Sequence, residues 1–142
     1  MEKIKANFID NHVAYIYEAV CWSELWRFAF AEKLQFNKLG RWWNSKEEID
    51  IVALDSTGKD IVFAECKYRT KPTDTDVFFN LLGKKDQVLW NKEGRNEKFV
   101  LFSIGGFTDR LLRLAEERDD LLLVGGDGKL IENGTIEESP LL

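Results

Sequence analysis

Two apolar runs of strand length, Ile49-Asp50-Ile51-Val52-Ala53-Leu54 and Ile61-Val62-Phe63-Ala64-Glu65-Cys66-Lys67-Tyr68, flank the turn-forming stretch Asp55-Ser56-Thr57-Gly58-Lys59-Asp60. That arrangement predicts an antiparallel hairpin. Within it, charges stand where strand interiors rarely carry them. Side chains i and i+2 share a face of a strand, so Glu65 and Lys67 point the same way, and pairing across the turn brings Asp50 close to both. Apart from these three charges, both faces of the two strands are apolar.

The rest of the chain constrains how this hairpin is built upon. Residues 8–34 read as one long helix, with Ala14, Cys21, Leu25 and Phe28 on one stripe at helical spacing. Glu18 falls on that stripe. A carboxylate among apolar neighbours is costly without a partner, unless Glu18 lies at the stripe's edge and reaches water; Glu24, with Arg27 one turn on, is an ordinary exposed pair. Residues 36–46, with Gly40 and Trp42-Trp43, read as a loop entering the first strand, whose tryptophans are core before they are stacking surface or partner interface. After the hairpin, Pro72 with Thr73 and Asp74 opens a helix expected from Asp76 to Trp90.

Phe99-Val100-Leu101-Phe102-Ser103-Ile104 is a further strand, ended by Gly105-Gly106 and followed by the helical pattern Leu111, Leu112, Leu114, Ala115, and then by the buried strand Leu121-Leu122-Leu123-Val124. Crossovers through helices make these later strands parallel, so the pattern predicts an α/β fold with a mixed sheet and helices on both faces. Asp127-Gly128 before Lys129-Leu130-Ile131 predicts a small final hairpin, and the acidic tail from about 132 to 142 is expected on the surface or frayed.

Composition removes several alternatives. A 142-residue chain with 44% hydrophobic residues, five Trp and ten Phe holds enough for one packed domain spanning 1–142. No apolar run is long enough for a bilayer, and the N-terminus lacks signal-peptide organisation, which predicts a cytoplasmic protein without a membrane partner. Cys21 and Cys66 read as small core residues, no zinc spacing exists, and His12 as the single histidine gives poor support for a His-based triad. The net charge of −5 is uneven: residues 116–142 hold eight acidic and two basic side chains, leaving the remainder at +1. Basic clusters at Lys67-Tyr68-Arg69-Thr70-Lys71 and Lys84-Lys85 are either solvated surface or phosphate contacts.

Two carboxylates held together on rigid strands suit Mg²⁺ or Mn²⁺, which take one or two carboxylates and fill their other positions with water and substrate phosphate. Asp50 and Glu65 fit that role. Lys67 adds positive charge where an attacking hydroxide and a phosphorane develop negative charge. An acid-X-Lys triplet also arises by composition alone, and a cross-strand ion pair on a solvated face is its structural alternative.

Glu18 in a first helix, Asp50 opening an apolar strand and Glu65-Cys66-Lys67 in the next resemble the PD-(D/E)XK nuclease superfamily, which includes archaeal Holliday-junction resolvases and many restriction endonucleases. Arg41-Trp42-Trp43, Glu48-Ile49-Asp50-Ile51-Val52-Ala53-Leu54, Glu65-Cys66-Lys67 and Phe102-Ser103-Ile104-Gly105-Gly106-Phe107-Thr108 more closely resemble the domain of unknown function at the C-terminus of archaeal-type AAA ATPases, over about residues 11–131. The resemblance implies a restriction-endonuclease-like three-layer αβα sandwich. It implies Asp50 and Glu65 as metal ligands, the Cys66 backbone carbonyl as a further ligand, Lys67 as the catalytic lysine, and Glu18 as a helical acid on metal-bound water. Ile49 stands where the superfamily's name has Pro, and Gln87 or Lys84 stands where some relatives carry an assisting helical residue.

The function so implied is a Mg²⁺- or Mn²⁺-dependent nuclease-like domain that hydrolyses DNA, branched DNA included, by in-line attack of a metal-activated water. The alternative is an inactive module of the same fold that binds DNA or an AAA ATPase partner. The weakly charged body favours that alternative a little. No Gly-x-x-x-x-Gly-Lys-Ser/Thr sequence is present, so ATPase activity would belong to another polypeptide or a larger parent chain. The short N-terminal lead suggests an excised domain, or a small homologue that forms a homodimer in which Trp22, Trp26 and Trp42 serve the interface or else the core.

Overall fold

Strand-length apolar runs form the sheet, and the segments of helical period cover it. In a computed structural model, which describes residues 2–126, 130–132 and 135–137, the elements are α1 (Glu2–Phe30), β1 (Lys38–Trp43), β2 (Glu48–Leu54), β3 (Asp60–Lys67), α2 (Thr75–Lys85), β4 (Asn96–Ser103), α3 (Asp109–Glu117), β5 (Leu121–Gly125), β6 (Leu130–Glu132) and β7 (Thr135–Glu137). The strands form one sheet in the order β1 to β7. Direct turns join β1 to β2 and β2 to β3, which are antiparallel, whereas α2 and α3 connect β3 to β4 and β4 to β5, which are parallel. The sheet is therefore mixed, as the alternation predicts.

Three layers result. On one face Tyr17, Cys21, Leu25 and Phe28 of α1 pack on Ile51, Ala53, Val62, Ala64, Val100 and Phe102. On the other, Val77, Phe78 and Leu81 of α2 and Leu111 of α3 pack on Val52, Ile61, Phe63, Phe99, Leu101 and Leu123. Central strands β3 and β4 are buried on both sides, which is why their sequences read as continuous apolar runs. No helix among the described residues is long and apolar enough to cross a membrane.

Several boundaries differ from the sequence reading for identifiable reasons. Helix α1 starts at Glu2 and stops at Phe30 instead of running over 8–34. Its end is a Schellman turn: Glu32 is left-handed at φ 62°, Lys33 N–H donates to the Phe28 carbonyl at 2.8 Å and Glu32 N–H to Ala29 at 3.1 Å. Helix α2 ends at Lys85, short of Trp90. Beyond it the buried Arg95 guanidinium donates to the carbonyls of Lys85, Val88 and Trp90 at 2.9, 2.7 and 2.8 Å, so a side chain takes the bonds a longer helix would have made. The expected loop over 36–46 contains strand β1, an edge strand without clean alternation. Of its tryptophans, Trp42 packs half-buried against the core while Trp43 is 68% exposed. The turn at Asp127-Gly128 lies outside the described residues, and Thr135–Glu137 of the acidic tail pairs with β6.

Strand β2 carries one irregularity that bears on the site. Gly40 pairs with Val52, but Trp42 pairs with Ile49. Asp50 and Ile51 thus stand together opposite the single residue Arg41, a β-bulge. Because a bulge shifts the two-residue period, Ile49 joins the α2 core while Ile51 joins the α1 core.

Candidate active site

The bulge sets Asp50 beside β3. Regular pairing of β2 with β3 ends at Ile51↔Ala64, and from there the Asp50 carboxylate replaces the backbone as partner: Cys66 N–H donates to Asp50 Oδ2 at 2.8 Å. The Asp50 side chain is thereby fixed to the peptide that joins Glu65 to Cys66. Glu65 faces the α2 layer and is 4% exposed. Lys84, reaching from α2, places its Nζ 3.0 Å from Glu65 Oε1.

A nearly dry carboxylate beside a second one is electrostatically strained. Burial pushes the Glu65 carboxyl up to about 8, helped by the charge of Asp50 and a hydrogen bond with it, while the Lys84 ammonium pulls the other way. The pair therefore holds a proton to higher pH than an ordinary carboxylate does. Cys66 turns to the opposite face, where the adjacent Cys21 thiol and burial push its own thiol up, so it serves the site through its backbone.

Lys67 follows on the same strand face, half-buried, at the carboxyl end of β3. Among the described residues its ammonium has no ion-pair partner. Just beyond, the loops after β3 and β4 lock together: Thr73 N–H donates to Gly106 and Thr108 N–H to Thr73 at 2.9 and 3.0 Å, and Thr73 Oγ1 meets Ser103 Oγ at 2.8 Å in a fully buried contact. Gly105 is required there, since a Cβ would lie 2.4 Å from the Thr70 carbonyl oxygen.

The structure does not bring Glu18 onto the carboxylate pair. Both of its oxygens accept from Arg41 Nη2, at 2.8 and 2.7 Å. Among the described residues no three acidic, Cys or His side chains converge as metal donors. Of the two helical candidates, Lys84 is at the site, whereas Gln87 accepts from Asn44 at 2.7 Å in an exposed contact. Arg41 went unassigned in the sequence reading. Its only signal there was its place in the Arg41-Trp42-Trp43 motif, because the bulge that sets it opposite Asp50 has no residue signature.

A family model for archaeal and bacterial proteins of unknown function, DUF234, matches residues 1–78. The chain belongs to this family. The match covers α1 and strands β1 to β3, including Glu18, Asp50, Glu65 and Lys67, and stops within α2. The uncharacterized protein MJECL04 of Methanocaldococcus jannaschii is 32% identical over 92 residues, which is 63% of this chain and 21% of that protein. The chain thus spans about a fifth of the curated relative it matches. A crystal structure of a repair endonuclease from Pyrococcus abyssi aligns over 71% of this chain and 44% of its own, at 16% identity and a TM-score of 0.39.

The donor set fits a hard divalent cation. Two carboxylates in contact, one forced to keep a proton by burial and by its neighbour, are relieved when a cation takes the proton's place, and oxygen donors suit Mg²⁺ or Mn²⁺.

Proposed function

We propose that this DUF234 chain is a restriction-endonuclease-like, metal-dependent nuclease domain of the PD-(D/E)XK type that hydrolyses DNA phosphodiester bonds, branched DNA included. The observation that carries this reading is the contact of Asp50 with the buried Glu65, whose carboxyl is driven up to about 8, on the strand face that also carries Lys67, which has no ion-pair partner among the described residues. Asp50, Glu65 and the Cys66 backbone carbonyl would hold Mg²⁺ or Mn²⁺. When bound, the ion supplies Lewis-acid charge for water activation and for the phosphorane. Asp50 is oriented for this by the Cys66 N–H. Lys67 presents its ammonium toward the attacking water and the scissile phosphate, stabilising negative charge as it develops. Glu18, tied to Arg41 in this structure, would act on metal-bound water only once released from that pair.

A second reading is an inactive module of the same fold that binds DNA or an AAA ATPase domain or subunit. It is favoured by the Lys84 ammonium, which already occupies the position beside the buried acid at 3.0 Å, and by the engagement of Glu18 elsewhere. The small share of MJECL04 that is matched supports work within a longer polypeptide or beside a partner, and a homodimer is a further arrangement.

DNA cutting assays with Mg²⁺, Mn²⁺ or EDTA separate the two readings. Cutting should require the metal and vanish in Asp50→Ala and Lys67→Ala while circular dichroism stays native. Cutting that persists in both variants sinks the nuclease reading. Calorimetric titration with Mn²⁺ should show binding in the wild type and none in Glu65→Ala; no binding in the wild type selects the inactive module.

A further inference from the structure

Between α1 and β1 lies a cleft of about 450 Å³ lined by Glu18, Ala19, Trp22, Ser23, Trp26 and Arg41. Its floor is the small-residue row Ala19 and Ser23, one helical turn apart, with the Ser23 hydroxyl turned back onto the Ala19 carbonyl at 3.3 Å. Trp22 and Trp26, also one turn apart, pack on the core and line the cleft, the Trp26 ring lying between Phe30 and Phe36 in its ring contacts. At one end stands Arg41, 44% exposed along its side chain, with only Nη2 engaged by Glu18.

The cleft opens on the α1 face of the sheet, near Asp50 and across the sheet from the Glu65 side chain. Arg41 is the residue opposite the β2 bulge that carries Asp50, and neighbouring strands run about 4.8 Å apart. After its bonds to Glu18, the charges of Glu48 and Asp50 also act on the guanidinium. A group seated here is thus beside the strand that carries Asp50.

Aromatic rings beside a guanidinium match a ligand with both a π-face and an anion. A base paired inside a duplex offers no free face. We infer that the cleft is a subsite for an unpaired nucleotide flanking the Asp50 side of the site, with the base against Trp22 and its phosphate at Arg41. The substrate is then DNA with a single-stranded flank at the cut, such as an overhang, flap or fork. The site's placement rests on the nuclease reading, but its test needs no cutting.

The experiment measures binding in EDTA, comparing a blunt duplex with the same duplex bearing a short overhang that contains 2-aminopurine. The overhang should bind about tenfold more tightly, with its fluorescence quenched by stacking. Trp22→Ala should remove both the preference and the quenching, and Trp22→Phe should keep them in reduced form. Equal affinity for blunt and overhanging DNA, or quenching unchanged in Trp22→Ala, overturns the inference. Should Trp22→Ala fail to fold by circular dichroism, the wild-type comparison and the Phe variant decide. Concentration-dependent dimers that Trp22→Ala dissociates, without any overhang preference, would assign the cleft to a second copy and overturn it too. A protein that prefers overhangs yet cuts nothing in Mg²⁺ upholds the cleft and refutes only the nuclease reading.

Discussion

Glu65→Gln removes the ionisation of the buried acid while keeping its size, and so exposes what that acid costs the fold. In the unfolded chain the carboxyl titrates near 4.5; in the folded protein burial, then Asp50, raise it to about 8. A carboxyl raised on folding adds stability that is complete below pH 4.5, where both states are protonated, and that is lost as pH climbs to 8. Above that the folded state must hold a buried carboxylate. At 1.36 kcal/mol for each pH unit between the two values the ceiling is about 5 kcal/mol, and relaxation around the pair with Lys84 should leave about 2–3 kcal/mol. Urea denaturation of wild type and Glu65→Gln at half-unit steps from pH 4 to 9 isolates the effect, because titrating groups away from Asp50 and Lys84 cancel in the difference. The wild type should lose about 2–3 kcal/mol relative to the variant between pH 5 and 8, with m unchanged. Parallel curves across that range would mean that Glu65 is ionised throughout and would refute the argument.

Three further perturbations test the scaffold. Glu32→Gly should raise stability by about 0.5–1 kcal/mol, since the Schellman position is left-handed and glycine accepts it without a Cβ penalty; thermal denaturation reads it. Gly105→Ala should destabilise by about 2 kcal/mol or more, because its Cβ would meet the Thr70 carbonyl at 2.4 Å, and a native melting curve would contradict the close packing of the two loops. Asp74 caps α2 through Thr75 N–H and also accepts from Thr108 and Arg110, which hold its carboxyl at about 2 against an ordinary 3.8. The stability it confers is present above 3.8 and lost toward 2, so Asp74→Asn should flatten the acid limb of the melting curve in that window.

What the sequence disclosed follows from how each element is held. The β2–β3 hairpin and the parallel strands β4 and β5 were readable because buried strands announce themselves as unbroken apolar runs. Strand β1 was hidden: an edge strand half open to solvent, with Lys38, Gly40 and Arg41, has no such run. The end of α2 depends on Arg95, ten residues beyond Lys85, and no local propensity encodes that capture of carbonyls. At the site, the contact of Asp50 with Glu65 was foreseeable from hairpin pairing. The contact of Lys84 with Glu65 and the bond of one Arg41 nitrogen to both Glu18 oxygens needed the third dimension, since each joins a helix to a strand distant in the chain.

The bulge at Asp50 and Ile51 makes the candidate acid part of both cores at once. Ile49 is anchored in one layer and Ile51 in the other, so Asp50 cannot be freed by opening a loop. Its amide partner, Cys66, should therefore exchange with deuterium only through global unfolding, as slowly as the central strands do. A site tied down in this way is rigid before any substrate arrives, and deleting Asp50 would only close the bulge: Ile49 and Ile51, then neighbours, would still face opposite layers, so the fold should outlive the loss of its acid.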